Sequence, residues 1–123
     1  MNNHVYILLS IIFAVASQLI IKWRMSTKFV EIPSDFIAKI VFLFYALFDP
    51  FIIISLLLTL LGGFSWMITM AKFELNYAYP FIGLTFLIIL IAGNIFFNEP
   101  FNIYRVLGTL FIVIGVILSS KYG

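Results

Sequence analysis

Long apolar stretches separated by short polar ones dominate the pattern of this chain. The longest runs from Tyr77 to Pro100, as YAYPFIGLTFLIILIAGNIFFNEP. At about 1.5 Å per residue, a helix of this length crosses a hydrocarbon core of roughly 30 Å. Backbone groups in hydrocarbon must be satisfied within the segment, so the run predicts a membrane-spanning helix over about residues 76–97. Pro80 falls in its first turns, where a missing N–H costs little.

Three further apolar stretches predict spans over about residues 5–21, 51–71 and 106–120. The first is followed by Lys22-Trp23-Arg24, which is typical of an interfacial anchor. It has neither a basic leader nor a small-x-small cleavage site, so we expect it to stay in the mature protein. The connection around Lys72 is very short, which predicts that the second and third spans are antiparallel neighbours.

The stretch between the first two spans has a different character. Residues 25–35 are polar, and Ser34 or Asp35 can cap a helix over residues 36–48 that ends before Asp49-Pro50. This helix is too short to span, so we interpret it as an interfacial amphipathic helix; an oblique lead-in to the second span is the alternative. The predicted fold class is all-α: a single membrane domain over residues 1–123, with four transmembrane helices and this extra helix.

The composition supports a membrane protein and excludes several other classes. Hydrophobic residues make up 64% of the 123 positions and charged residues only 10%, whereas soluble proteins average about 25% charged. The absence of cysteine excludes disulfides and thiolate chemistry. The net charge of +2 is too small to indicate nucleic-acid binding. No nucleophile–base pair, metal-ligand cluster or phosphate loop is visible, so we expect no enzyme, no metal site and no cofactor.

The charged residues predict an orientation. The cations beside the first and third loops outnumber those beside the termini and the middle loop: Lys22, Arg24, Lys28, Lys39 and Arg105 against Lys72 and Lys121. The positive-inside rule therefore places both termini outside the cytoplasm. The carboxylates, Glu31, Asp35, Asp49, Glu74 and Glu99, are all predicted at interfaces or in loops. Without a carboxylate in mid-bilayer, a simple proton-driven exchanger is not favoured.

Small residues on two spans predict close helix packing. Gly62-Gly63 in the second span let another helix approach or bend this one. In the fourth span Gly108 and Gly115 lie seven residues apart on one face, which Ser119 continues. We predict that this face is a dimer interface, with close packing inside the monomer as the alternative.

Four motifs in order carry a family resemblance. They are Ser17-Gln18-Leu19 followed by Lys22, then Ala78-Tyr79-Pro80 with Gly83-Leu84-x-Phe86, then Asn98-Glu99-Pro100, and finally Gly108 with Gly115-Val116. With these motifs the chain resembles the drug/metabolite transporter superfamily, in particular the small multidrug resistance proteins. It is most similar to the small subunits of the aminoarabinose-phosphoundecaprenol flippase. The resemblance leaves out residues 25–50, which are longer than the family's first loop.

The resemblance implies a function and a set of site residues. It implies a flippase subunit that moves a polyprenyl-phosphate-linked sugar or related lipid across the bacterial inner membrane, as a homodimer or heterodimer. A polar pocket for the head group would contain Gln18, Trp66, Tyr77, Tyr79 and Asn94. Two of these residues have other interpretations: Gln18 can bond a neighbouring helix, and Trp66 can simply pack in the bundle.

Lys22 and Glu99 complete the expected site. Lys22 would contact a lipid phosphate or extend its amine to the interface. Glu99 would cap the N-terminus of the fourth span.

Two other functions stay open. One is export of cationic drugs by the same fold. Against it, the position of the family's membrane-embedded glutamate is Ala14 here. The other is a non-transporting partner of a glycosyltransferase, with the surface helix available for that contact.

Overall fold

The structure is a computed structural model that describes residues 3–29 and 31–122. Its described part is helical and contains no strand. The elements are α1 (His4–Thr27), α2 (Phe36–Leu47), α3 (Pro50–Lys72), α4 (Leu75–Ala78), a 3₁₀ segment (Tyr79–Gly83), α5 (Leu84–Phe97) and α6 (Ile103–Tyr122). Four apolar stretches are long enough to cross a membrane: α1, α3, α4 through α5, and α6. The predicted fold class is therefore confirmed, with a short apolar helix between the first two spans, and the chain is a multi-pass membrane protein.

Helices α1 and α3 form the tightest pair in the bundle. A Cβ on Gly62 would lie 3.2 Å from Cβ of Phe13 and 3.6 Å from the Ser10 carbonyl oxygen, so the two backbones approach closely at this glycine. Near it, the hydroxyls of Ser17 and Thr59 lie 2.6 Å apart across the interface. Small residues and interhelical hydrogen bonds are what hold helices together in lipid, where apolar surface gives no preference for a protein neighbour.

Hydroxyl side chains fill this interface without leaving unsatisfied groups. Ser55 and Thr69 are fully buried, and each donates to a carbonyl of its own helix, Ile52 at 2.6 Å and Ser65 at 3.0 Å. Such bonds to the preceding turn let small polar residues sit in an apolar setting. No buried side-chain nitrogen or oxygen in the described residues lacks a hydrogen-bond partner. The interface therefore combines close approach with complete polar satisfaction.

The third span is not the continuous α-helix that the sequence predicted. It begins as α4, tightens into the 3₁₀ segment at Tyr79, and returns to α-helix at Leu84. Pro80 explains the change, because it has no N–H to donate to the carbonyl four residues earlier, and its ring crowds that carbonyl. The 3₁₀ segment also meets α6 closely: a Cβ on Gly83 would lie 2.8 Å from Cγ2 of Ile112.

The first span extends beyond its predicted end. Helix α1 continues past the Lys22-Trp23-Arg24 anchor as far as Thr27, so the first part of the expected polar loop is helical. This extension places Arg24 one turn before Lys28, and both side chains reach Asp49 at the start of α3. The Asp49 carboxylate, which binds both side chains, stabilises this extra turn.

Helix α2 lies at the periphery of the bundle. Asp35 caps it, with Oδ2 accepting a hydrogen bond from the Ala38 N–H at 3.2 Å, which selects one of the two expected caps. Ala46 is its only buried residue, whereas Phe36 and Tyr45 are each more than 70% exposed. Lys39 is its only charged residue, so the helix is apolar around most of its circumference rather than strongly amphipathic. Its place at the membrane interface stays a prediction.

Two adjacent glycines of α3 provide a test of the α1–α3 contact. Gly62→Val should lower the free energy of unfolding by about 1–3 kcal/mol because its side chain would collide with Phe13. Gly63→Val is the matched control, since a Cβ there meets nothing within 4 Å. Both changes have the same effect on helix propensity, so thermal unfolding in detergent measures the contact alone. Equal losses in the two variants would contradict the close approach.

Candidate functional site

A cavity of about 360 Å³ lies between α1, α3 and the 3₁₀ segment. Three residues that the sequence singled out line it together: Gln18 from α1, Trp66 from α3 and Tyr79 from the 3₁₀ segment. Four small hydroxyl side chains also line the cavity: Ser10, Ser17, Thr59 and Thr85. Both Gly62 and Gly63 line it as well, so the close α1–α3 packing forms one wall of the cavity.

The polar groups of this cavity are available to a ligand. Trp66 and Tyr79 meet edge to face, with ring centroids 5.9 Å apart. Within the described chain, neither the Trp66 indole nor the Tyr79 hydroxyl makes a protein hydrogen bond, and the Gln18 amide also has none. Gln18 is exposed and makes no hydrogen bond to a neighbouring helix among the described residues, so its role as a substrate contact stays a prediction.

The cavity continues into a second, apolar hollow of about 380 Å³ along α5. The two share Ala14, Gln18, Ile82 and Thr85, and the second adds Val15, Phe86 and Ile89. Together they form a groove, which we call the α1 groove, with hydrogen-bonding groups at one part and aliphatic and aromatic walls at the other. Such a groove matches the shape of an amphiphile. No carboxylate or histidine lines it, and Ala14 is one of the residues that the two hollows share.

The structure does not bring all the predicted site residues together. Tyr77 lies at the end of the bundle that holds the start of α1, where its hydroxyl is 2.9 Å from Nε2 of His4 and its ring stacks on Phe73. Lys22 and Asn94 lie at the opposite end. There the Lys22 amine is 4.0 Å from the Glu99 carboxylate, and the Asn94 amide donates to the Glu99 carbonyl oxygen at 2.9 Å. Tyr77 and Asn94 therefore do not line the cavity that Gln18, Trp66 and Tyr79 share, and a role in substrate binding for them and for Lys22 stays a prediction.

The sequence predicted that Glu99 caps the N-terminus of the fourth span, but in the structure it does not. Helix α6 begins at Ile103, and Asn102 caps it: Oδ1 accepts from the Tyr104 N–H at 2.8 Å, and its carbonyl accepts from the Val106 N–H. The Glu99 carboxylate instead folds back against Gly93, where a Cβ would lie 2.8 Å from Oε2. The left-handed Asn98, with φ of 54°, makes this reversal possible.

The glycine face of α6 points away from the rest of the chain. A Cβ on Gly108 or Gly115 would meet nothing within 4 Å, whereas Thr109 and Val116 form the buried side of the helix. Ser119 is half-buried at the edge of that side. Close packing within the monomer, the alternative explanation for these glycines, is therefore not seen. Their use as a dimer interface stays a prediction.

Sequence reasoning missed the most heavily bonded side chain of the structure, Asp49. It is 4% exposed and accepts hydrogen bonds from Arg24 Nε at 2.9 Å, from Arg24 Nη2 and from Lys28 Nζ at 3.0 Å. It also caps α3 by accepting from the Phe51 and Ile52 N–H groups. The hydrogen bonds from Arg24, followed by those from Lys28 and the backbone, hold the pKa of Asp49 well below its usual range even though burial opposes this shift.

A sequence signal for this cluster was present. Asp before Pro is a preferred start for a helix, with Asp as the cap and Pro in the first turn. Arg24 and Lys28 are one helical turn apart, so they share a face if the first helix continues that far. The interpretation of Asp49-Pro50 as only a stop for α2 concealed the cap.

Comparison with curated proteins finds similarity to small flippase subunits. A probable 4-amino-4-deoxy-L-arabinose-phosphoundecaprenol flippase subunit ArnF from Serratia proteamaculans is 29% identical over 117 residues, 91% of this chain and 87% of that protein. The probable ArnE subunit of the same flippase from Pseudomonas aeruginosa strain UCBPP-PA14 is 33% identical over 73 residues, 59% and 64% of the two chains. The ArnE subunit from Pseudomonas syringae is 34% identical over 55 residues, 45% and 51%.

This chain is similar to these small flippase subunits, which confirms the resemblance predicted from the motifs. The chain spans 51% and 64% of the length of the two ArnE relatives and 87% of the ArnF relative. These relatives are named as transport proteins rather than enzymes. No family model matches the chain, and no solved structure gives a significant match.

Asp49 gives the protein a pH-dependent element of stability. Its pKa is lowered on folding, so its contribution to stability is complete above the ordinary carboxyl pKa of about 3.9. The contribution begins to fall below that value and is lost only as the pH falls through the lowered pKa of the folded state. We therefore expect Asp49→Asn to lower the melting temperature in detergent strongly at about pH 7 and less at about pH 3.

Asp35→Asn is the control, because Asp35 also caps a helix but is exposed and binds no cation among the described residues. A difference in melting temperature between wild type and Asp49→Asn that does not change with pH would contradict the ionic role of Asp49.

Proposed function

We propose that this chain is a flippase subunit that moves a polyprenyl-phosphate-linked sugar, or a similar lipid, across a bacterial inner membrane. The observation that carries the proposal is the α1 groove, in which a polar cavity continues into an apolar hollow. The names of the relatives supply the substrate class: they are flippase subunits for an amino-sugar linked to phosphoundecaprenol. The chain acts as a carrier and performs no covalent chemistry.

The groove lowers the barrier that a polar head group meets in the bilayer. An unpaired polar group costs several kcal/mol in hydrocarbon, so a sugar can cross only where hydrogen-bonding partners replace water. The Gln18 amide, the Trp66 indole N–H and the Tyr79 hydroxyl provide such partners within the spans. The polyprenyl tail follows the aliphatic side of the groove past Phe86 and Ile89 without leaving an apolar environment.

Lys22 has a supporting role at one end of the path. Its side chain is 55% exposed, and its amine is only loosely held, 4.0 Å from the Glu99 carboxylate. An exposed pair of this kind contributes little to stability, so the amine is available to a lipid phosphate at the membrane surface. Four cations besides Lys22 belong to the same side by sequence, so we assign that side to the cytoplasm and both termini to the periplasm.

The lining of the groove also bears on how transport is driven. A carrier coupled to protons or specific for cations requires an acidic side chain within the membrane. The α1 groove has Ala14 at the relevant place and contains no ionisable group other than the Tyr79 phenol. We therefore propose passive movement, directed by consumption of the lipid on the far side. The same observation makes export of cationic drugs the weaker candidate.

A second subunit completes the carrier in this proposal. In the apolar stretch that crosses the membrane, only 11% of the residues are buried within the chain for α4 through α5 and for α6, compared with 28% for α1. The open glycine face of α6 would contact either a second copy or a similar small subunit, since ArnE and ArnF are named as two subunits of one flippase.

The transport role can be tested in proteoliposomes with a fluorescent polyprenyl-phosphate sugar. Tyr79→Phe removes one hydroxyl from the groove and should slow flipping about tenfold, the effect of one hydrogen bond made during passage. Tyr77→Phe is the matched control: it removes the same group two residues away, where the hydroxyl meets His4 outside the groove, and should leave the rate unchanged. Equal rates for all three proteins would contradict carriage through the groove and favour a non-transporting partner of a glycosyltransferase.

The dimer interface can be tested independently of transport. Gly115→Ile should reduce dimerisation, measured by single-molecule photobleaching in lipid nanodiscs, without lowering the melting temperature of the monomer, because its Cβ has open space. Gly83→Ile is the contrasting variant, since its side chain would collide with Ile112 inside the chain and should destabilise the monomer. Unchanged dimerisation in Gly115→Ile would place the subunit interface elsewhere.

A further inference from the structure

Besides the two hollows of the α1 groove, another cavity of about 380 Å³ lies between α5 and α6, at the end of the bundle where a loop connects these helices. We call it the loop-end cavity. Its opening is formed by Glu99, Tyr104 and Arg105, in the loop and the first turn of α6. Its deeper walls are apolar and include Phe86 and Ile112. Phe86 is eleven residues before the end of α5, so the cavity reaches about 16 Å into the span.

The two charges at this opening do not neutralise each other. The nearest cation to the Glu99 carboxylate is Lys22 at 4.0 Å, and both of these side chains are about half exposed. Arg105 donates to the Pro100 carbonyl oxygen at 3.4 Å and has no carboxylate partner within residues 3–29 and 31–122. The opening therefore offers a carboxylate and a guanidinium to the same ligand. Gly108 leaves the side of the cavity open toward the surrounding lipid.

The arrangement selects one chemistry among membrane components. A guanidinium binds phosphate well, and a carboxylate binds an ammonium that can donate hydrogen bonds. A ligand that satisfies both and also fills the apolar depth carries an ammonium and a phosphate beside a hydrocarbon chain. We propose that the loop-end cavity binds phosphatidylethanolamine from the surrounding bilayer. Its charged opening is distinct from the α1 groove, whereas its deep end shares Phe86 and Ile89 with that groove.

Other lipids and a second copy fit this site less well. Phosphatidylglycerol satisfies Arg105 but places an uncharged head group beside Glu99. Phosphatidylcholine has a cation without an N–H donor, so it makes no hydrogen bond to the carboxylate. A second copy packed on Gly108 would cover the apolar wall rather than the charged opening formed by Glu99 and Arg105. Charge complementarity therefore favours the amine-bearing phospholipid.

The proposal is tested by native mass spectrometry of the protein released from nanodiscs with equal amounts of phosphatidylethanolamine, phosphatidylglycerol and phosphatidylcholine. Wild type should retain phosphatidylethanolamine about tenfold over each of the others, the preference expected from one added charge-assisted hydrogen bond. Equal retention of the three lipids, or no retained lipid, would overturn the proposal without any variant. Displacement of phosphatidylethanolamine by an equal amount of undecaprenyl phosphate would also overturn it, because the cavity would then belong to the transport substrate.

Variants separate the two charges. Glu99→Gln should abolish the preference for phosphatidylethanolamine over phosphatidylglycerol, while Arg105→Gln should reduce retention of every phospholipid. Arg105→Lys keeps the charge and should keep most of the retention. Glu74→Gln and Lys121→Gln are matched controls, since they change the same charges at the opposite end of the bundle and should have no effect. Retention that is unchanged in both Glu99→Gln and Arg105→Gln would contradict the assigned site.

Discussion

The ionic cluster around Asp49 is the interaction on which the arrangement of the bundle depends. One carboxylate joins the end of α1, through Arg24 and Lys28, to the start of α3, whose first N–H groups it caps. A charge buried to this extent is tolerated only when all of its lone pairs are used, which is the case here. Because α2 ends immediately before Asp49, the same cluster also fixes where the peripheral helix leaves the bundle. The cluster thereby holds the end of α1 beside the start of α3. The contact at Gly62 brings the two backbones together further along the helices.

The candidate carrier site is a consequence of this alignment combined with the break in the third span. The α1–α3 pair provides Gln18 and Trp66 at one level, and the 3₁₀ segment that follows Ala78 brings Tyr79 to the same level. Pro80 is therefore more than a tolerated residue near a helix start, because the span tightens into the 3₁₀ segment where Tyr79 and Ile82 line the cavity. Within the described part of the chain, the polar groups of Gln18, Trp66 and Tyr79 make no protein hydrogen bond, which is costly in hydrocarbon unless a ligand or water uses them. A carrier needs groups of this kind, since they must exchange partners during transport.

The outer half of the bundle has a different character from the α1–α3 half. Helices α5 and α6 bury little of their surface within the chain, and the glycines of α6 face outward. In lipid, exposed apolar surface has no cost, so a chain of this kind is stable without a partner and still available to one. The charged opening of the loop-end cavity lies beside that surface. A partner subunit and specific lipids would therefore meet the protein on neighbouring faces, while α1 and α3 form one wall of the α1 groove.

The sequence by itself determined the four spans, the short helix between the first two, and the relationship to the flippase subunits. These follow from local constraints: each backbone group in hydrocarbon must be satisfied within its own helix, so a long apolar run has one possible structure. Only the tertiary structure decided which polar residues meet. Tyr77 and Tyr79 lie two residues apart and so on different faces of the helix, but only the packing shows that Tyr77 lies against His4 and Tyr79 in the groove. Asn102 rather than Glu99 caps α6 for a similar reason, since the left-handed Asn98 reverses the chain. In membrane helices the lipid-facing side is as apolar as the packed side, so hydrophobic periodicity does not mark the inward face, and the site emerges only when the helices are packed.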